Sequence, residues 1–237
     1  SAALDVYKRQ IDDNPFLPEA FVENLKREYL GTVFYDRYIL GQWALAEGLI
    51  YPMFGESNIV DDVPESGEYY ISCDYGTLNP FSAGLWCWDG KNAVRIREYY
   101  YSGRAEQASK TDEEYYTELE KLAGDLSVKS VIVDPSAASF IEVIRRHHRF
   151  HAQKAVNDVI PGIARTARYL QSGIIKIHRS CKDAIREFGL YRWDEEAAED
   201  KPIKENDHAM DDIRYFAMTV LRHKAGKEKY TPIWMGR

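Results

Sequence analysis

Two aspartates that end apolar runs are the first residues of this 237-residue chain with a claim to chemistry. Asp74 closes EYYISCD ahead of Tyr75 and Gly76, and Asp134 closes VIV ahead of Pro135. An unpartnered buried carboxylate is costly, so an aspartate at a strand end belongs in the crevice beside the sheet rather than in the core. Gly76 lets the backbone turn without covering Asp74, and Pro135 keeps Asp134 extended. Taken singly, such residues more often form turns or caps, and Asp134 could cap a helix starting at Ser136. A third acidic group lies in NDHAMDDIRY, where His208 and Asp211 are three apart and share one helix face. Asp212 is rotated about 100° from Asp211, where it either supports a metal site or faces water. Asn206 and Asp207 stand where a helix N-cap is expected. Together these groups are the donors that a pair of hard divalent cations needs. Mg²⁺ takes carboxylate oxygens, keeps several waters and leaves space for a phosphate. Two ions about 3.5–4 Å apart stabilise both the attacking and the leaving oxygen of a phosphodiester. The candidate ligands are therefore Asp74, Asp134 and Asp211, with His208 and Asp212 beside them.

The elements that must position these residues read clearly along most of the chain. Residues 19–29 have amphipathic helical spacing, and a second helical stretch spans 35–47. Residues 56–67, with Gly55, Pro64 and Gly67 among acids and serines, suggest a linker. Strands follow at 68–74, 82–88 and 93–101, the last two joined by the hairpin signal Asp89-Gly90. Thr111 with Glu114 opens a helix running to 123. Strands at 128–133, 152–156 and 174–177 then alternate with helices at 136–148, 158–171 and 180–192. A last helix spans 206–222. The expected fold class is α/β: an antiparallel three-stranded start, then strands joined by helical crossovers, with helices on both faces.

Composition narrows the class further. At 45% hydrophobic and 13% aromatic the chain can bury a core, which excludes a disordered or collagen-like chain. No apolar run approaches the roughly 18–20 residues of a membrane span, and the first residues lack a secretory-signal pattern. Cys73, Cys87 and Cys181 include no CxxC pair, so neither a disulfide framework nor a structural zinc site is expected, and a reducing, cytoplasmic setting is. The net charge is −7, but residues 141–192 hold eleven Lys/Arg against four Asp/Glu. A basic third beside an acidic remainder is compatible with a polyanion track facing a metal-binding cluster, although on charge alone solvated helix faces are the commoner explanation.

CDYGTLNPFSAG, VIVDPSAASF and NDHAMDDIRYFAM resemble the three acidic motifs in the nuclease domain of tailed-phage terminase large subunits, which has an RNase H-like fold. NDVIPGIARTARYLQSGIIKI resembles the segment between the second and third motifs. Upstream, DNPFLPEAFVENLKREYLG and YDRYILGQWALAEGLIYPMF resemble the end of that family's ATPase motor and its connection to the nuclease. The resemblance implies a metal-dependent endonuclease, using two Mg²⁺ or Mn²⁺, that cuts concatemeric double-stranded viral DNA during packaging. It matches Asp74, Asp134 and Asp211 to the metal carboxylates and His208 to the histidine before the third one; Asp212 stands where a small residue is expected. It also implies a motor domain, a portal and a small terminase subunit as partners, no membrane, and the cytoplasm of an infected or lysogenic bacterium. The expected division is a motor remnant plus linker at 1–62, a nuclease domain at 63–224 and a tail at 225–237. Residues 1–10 fit no pattern of the family. No GxxxxGK[ST] loop is present, since Gly90-Lys91 and Gly226-Lys227 continue differently. The chain is thus expected to be a fragment or a truncated reading frame without the ATP-hydrolysing part. Arg145, Arg146, Arg149, Arg165 and Arg168 are the expected phosphate contacts. Two other readings stay open: a docking module with a vestigial site, and another RNase H-like nuclease such as a junction resolvase.

Overall fold

The computed structural model describes residues 11–29, 33–41 and 46–225. The expectations for residues 1–10, for 42–45, and for the tail beyond 225 with its Gly226-Lys227 lie outside the described residues.

Among the described residues, seven strands form one mixed sheet in the order β1-β7-β4-β3-β2-β5-β6. The hairpin-linked strands β2 (Glu68–Asp74), β3 (Phe81–Trp88) and β4 (Ala93–Tyr101) make the antiparallel centre. Strands β5 (Val128–Val133) and β6 (Ala152–Lys154) extend it in parallel on one side, and β7 (Ile175–His178) does so on the other. The segment expected to be a linker contributes an outer strand instead: β1 (Ile59–Val60) runs parallel to β7. Asn58 fixes this edge, being buried with its amide donating to the Leu170 carbonyl at 2.8 Å.

The helices are α1 (Glu19–Tyr29), the short α2 (Gly103–Glu106), α3 (Asp112–Ala123), α4 (Ala138–Arg146), α5 (Val159–Gln171), α6 (Lys182–Phe188) and α7 (His208–Phe216), the last continued by wider turns at Ala217–Leu221 and a final turn at Arg222–Lys224. Thr111 and Glu114 form the expected capping box on α3. The helices expected at 136–148 and 180–192 are shorter than their patterns. Asp134 holds the chain in a turn before α4, with Ser136 N–H donating to its Oδ1 at 2.7 Å. After α6 the chain leaves for bridges at Arg192 and Trp193. Of the stretch expected to be helical at 35–47, Tyr35–Ile39 forms a single wide turn.

Side chains alternate between the two faces of a strand, and that alternation builds two cores. Ile71, Cys73, Leu85, Val131 and Val133 pack against α3 and α4. Tyr70, Trp86, Ile132 and Ile175 pack against α5, α6 and α7. Ile50 and Tyr51, upstream of the expected boundary at 62, belong to this second core, and Phe54 stacks on Phe188 at 3.9 Å. Asp74 continues the parity of Tyr70 and Ser72, and Asp134 continues that of Ile132. Both therefore fall on the α7 face. No helix among the described residues is long and apolar enough to cross a membrane.

Candidate metal centre

Cys73 of β2 pairs with Val133 of β5 in parallel register. The next residue along each strand is an aspartate, so Asp74 and Asp134 sit side by side where neighbouring strands are about 4.8 Å apart. The crevice beyond the carboxyl ends of parallel strands is where α/β sheets commonly bind ligands. Here it opens into a cavity of about 730 Å³ lined by both aspartates, His208, Asp211, Arg214 and Tyr215.

Helix α7 supplies the opposite wall. His208, Asp211 and Tyr215 follow the three- and four-residue spacing of one helix face, and all three line the cavity. His208 Nδ1 donates to Asp74 Oδ2 at 2.8 Å. The Tyr215 hydroxyl lies 2.8 Å from Asp134 Oδ2 and 3.4 Å from Asp74 Oδ1, bridging the two carboxylates. Asp211 faces cations of the chain itself. Its Oδ1 accepts from Arg214 Nη2 at 2.8 Å, and its Oδ2 lies 3.7 Å from Lys204 Nζ. Arg214 is buried, held from behind by the Asn157 carbonyl at 2.6 Å.

The two strand-end aspartates differ electrostatically. Burial raises the Asp74 carboxyl to about 6, the His208 hydrogen bond opposing and the Asp211 charge adding to the rise. Burial also acts on Asp134, but hydrogen bonds from Ser136 and Tyr215 outweigh it and hold that carboxyl below its ordinary value. His208 is raised, because the Asp74 carboxylate outweighs the burial that would lower it.

The chemistry of this donor set suits a hard cation: carboxylate oxygens from three elements and one imidazole open onto a single polar cavity. Among the described residues, no three acidic, histidine or cysteine side chains are already gathered at metal-holding distance. Asp211 must exchange Arg214 or Lys204 for an ion before the set closes. Asp74, Asp134, Asp211 and His208 would be the residues to hold it.

Asp212 neither joins this set nor faces water. It is fully buried on the sheet side of α7, where Arg95, Ser72 and Ser82 bind its carboxylate. The physical reason is the rotation of one residue along the helix, which turns it from the cavity onto β2 and β3. Asp207 occupies the N-cap position of α7, yet its side chain makes no capping bond. Glu187 of α6 does so in its place, its Oε2 accepting from Ala209 N–H at 2.7 Å. Asp207 instead lines the cavity, 3.4 Å from Lys204 Nζ.

None of the five arginines expected to follow phosphates lines this cavity. Arg145 and Arg149 border a separate depression with Val128 and Lys129, at the opposite end of β5 from Asp134. Arg146 pairs with Glu113 at 2.8 Å. Arg165 and Arg168, on α5, face Tyr29 and Phe34. The cations that do line the cavity are Arg104, Lys204 and Arg214. Sequence reasoning passed over these and Tyr215, although Arg214 and Tyr215 stand three and four residues after Asp211, the spacing that signals a shared face.

No protein-family profile matches the chain. It is 25% identical over 227 residues to the large terminase subunit of Escherichia phage T5, covering 90% of this chain and 51% of that protein. The large terminase of a thermophilic bacteriophage superposes with a TM-score of 0.84 at 47% identity, over 90% of this chain and 54% of that one. The nuclease domain of the bacteriophage SPP1 large terminase, solved with bound Mn, superposes with a TM-score of 0.52 at 14% identity, over 71% of this chain and 97% of that domain. The chain thus spans about half the length of the first two relatives.

Proposed function

Since the chain is a relative of phage terminase large subunits and carries the RNase H-like fold of their nuclease domains, we propose that it is a divalent-metal-dependent endonuclease that hydrolyses double-stranded DNA. The observation that carries this reading is the adjacency of Asp74 and Asp134 beneath the His208–Asp211 face of α7. Asp74, Asp134 and Asp211 would hold two Mg²⁺ or Mn²⁺. When bound, such ions stabilise both the attacking and the leaving oxygen of a phosphodiester. The chain's own part is to orient the ligands. His208 fixes the Asp74 carboxylate through Nδ1, and the Tyr215 hydroxyl sets the spacing of the two strand-end aspartates. Arg104 and Lys204, at the cavity wall, are the cations available to a DNA phosphate there.

The substrate in the cell would be concatemeric viral DNA, cut during packaging in the cytoplasm of an infected or lysogenic bacterium. The ATPase motor, portal and small terminase subunit would be the partners. The corresponding division would be a motor remnant upstream, a nuclease domain that takes in Ile50, Tyr51 and β1 together with residues 63–224, and a tail at 225–237.

The test is supercoiled plasmid incubated with the protein and Mn²⁺, with and without a chelator. Nicking that stops with the chelator and is lost in Asp134→Ala supports the reading; nicking that persists in Asp134→Ala overturns it. A second reading, a docking module with a vestigial site, is favoured by one observation: Asp211 is occupied by Arg214 and Lys204. An intact fold that nicks under no divalent ion, and whose melting temperature Mn²⁺ does not raise, would select that reading.

A further inference from the structure

One face of α7 builds the cavity, and the other holds a buried charge pair. Asp212 and Arg95 are both fully buried. The Arg95 guanidinium, from β4, binds both Asp212 oxygens, with Nη2 donating to Oδ2 at 3.1 Å. Ser72 of β2 donates to Oδ1 at 3.0 Å, and Ser82 of β3 donates to Oδ2. Three adjacent strands thus grip one carboxylate of the helix. The space for Arg95 comes from Gly84, where an added Cβ would fall inside the guanidinium.

The polar links continue until they return to α7. Arg95 lies 3.7 Å from Glu98, which accepts the N–H groups of Asp183 at 2.7 Å and Ala184 at 3.1 Å at the start of α6. At the far end of α6, Glu187 accepts from the Tyr100 hydroxyl at 2.6 Å and from Ala209 N–H in the first turn of α7. The helix is therefore tied to the sheet through Asp212 and to α6 through its amino end.

Such a network is poorly explained by stability alone, because packed apolar residues of similar volume hold a helix as well as a buried ion pair does, or better. Apolar packing, however, tolerates some rotation. A carboxylate bound by four directed donors does not. Successive helix residues are about 100° apart and turn together, so holding Asp212 against the sheet fixes the direction in which Asp211 points.

We propose that the Arg95–Asp212 pair, continued by Glu98 and Glu187, fixes the rotation of α7 so that His208 and Asp211 face the cavity. Asp212 is a positioning residue of the site and not a ligand. Only the final link, from side-chain direction to metal affinity, rests on the proposed metal function.

Two variants and two measurements test this. Asp212→Asn removes the nearer of the two carboxylates facing Arg95 and leaves Glu98 at 3.7 Å, and the double variant Arg95→Met, Asp212→Leu removes both charges of the pair while keeping apolar bulk. Mn²⁺ affinity is read by titration calorimetry. The ¹⁵N resonances of His208, which report its Nδ1 hydrogen bond to Asp74, are read in the metal-free protein. The double variant should melt cooperatively, bind Mn²⁺ at least about tenfold more weakly than the unaltered chain, in the range seen when residues supporting metal ligands are lost, and show a changed His208 signal. Asp212→Asn should show the same two changes, and if it fails to fold the double variant carries the test. Unchanged affinity with an unchanged His208 signal in the double variant overturns the proposal. Should the unaltered chain bind no Mn²⁺, the His208 signal decides alone: changed, it supports positioning while the metal function falls; unchanged, it overturns both.

Discussion

Asp74 and Asp134 occupy equivalent places on neighbouring strands, yet their surroundings push their protonation in opposite directions. Carbon-13 spectra of the metal-free protein should show Asp74 titrating near 6 and Asp134 below its ordinary value of 3.8. The linkage signs are opposite as well. With its folded pKa raised, Asp74 favours the metal-free fold below about pH 3.8 and loses that contribution as the pH rises through about 6. With its folded pKa depressed, Asp134 favours the fold above 3.8 and loses that contribution as the pH falls. Coincident titrations, or the reverse order, would contradict this account of the two environments. Tyr215 bridges the pair, so Tyr215→Phe should weaken Mn²⁺ binding by about tenfold, as loss of such supporting groups does, and calorimetric titration reads it. At this scale the sequence was a fair guide to carboxylates and a poor one to their partners. Strand-end aspartates announce themselves by the apolar run before them. The tyrosine between them was legible only in its spacing from Asp211.

Local signals served best for the elements. Strands β2 to β5 and the Thr111–Glu114 capping box appear within a residue or two of their patterns, because alternation and capping depend on neighbours in sequence. Thr111→Ala should accordingly lower stability by about 1 kcal/mol, read as a shift in the urea midpoint. Long-range links were not legible. Strand β1 is two residues long and exists because β7 offers an edge. The amino end of α7 is capped by Glu187 across 22 residues of sequence, so Asp207 holds the expected N-cap position without making the capping bond. Gly162 offers a sharper test. In an exposed helix Gly→Ala gains about 1 kcal/mol, but here the added Cβ would lie 2.6 Å from Arg214 Cγ. Arg214 is held at its far end by Asp211 and the Asn157 carbonyl and cannot yield freely. Overpacking of this kind costs about 1–3 kcal/mol, so Gly162→Ala should destabilise the fold and weaken Mn²⁺ binding together. A gain in urea midpoint would contradict the rigid placement of Arg214.

Charge organises the whole molecule less simply than a count along the chain suggests. The basic segment 141–192 does not form one track leading to the carboxylates. Arg145 and Arg149 border the far end of β5, Arg165 and Arg168 lie on α5, and Arg146, Arg149, Arg179 and Arg186 are paired with acids. Position along the chain could reveal the excess of charge but not where folding would send it. DNA held at the cavity should therefore depend more on Arg104 than on Arg145. Arg104→Ala is expected to weaken duplex binding and lower the salt slope by about one, with Arg145→Ala the milder change, both read from binding isotherms over a range of salt. Equal effects, or a larger one at Arg145, would point the DNA elsewhere. The central claim, that three distant aspartates serve one metal centre, is tested most directly by a crystal structure grown with Mn²⁺ and measured at its absorption edge. Anomalous peaks bound by Asp74, Asp134 and Asp211, with Lys204 turned from Asp211, are the predicted result. An empty cavity at saturating Mn²⁺, with Asp211 still paired to Lys204, would contradict it.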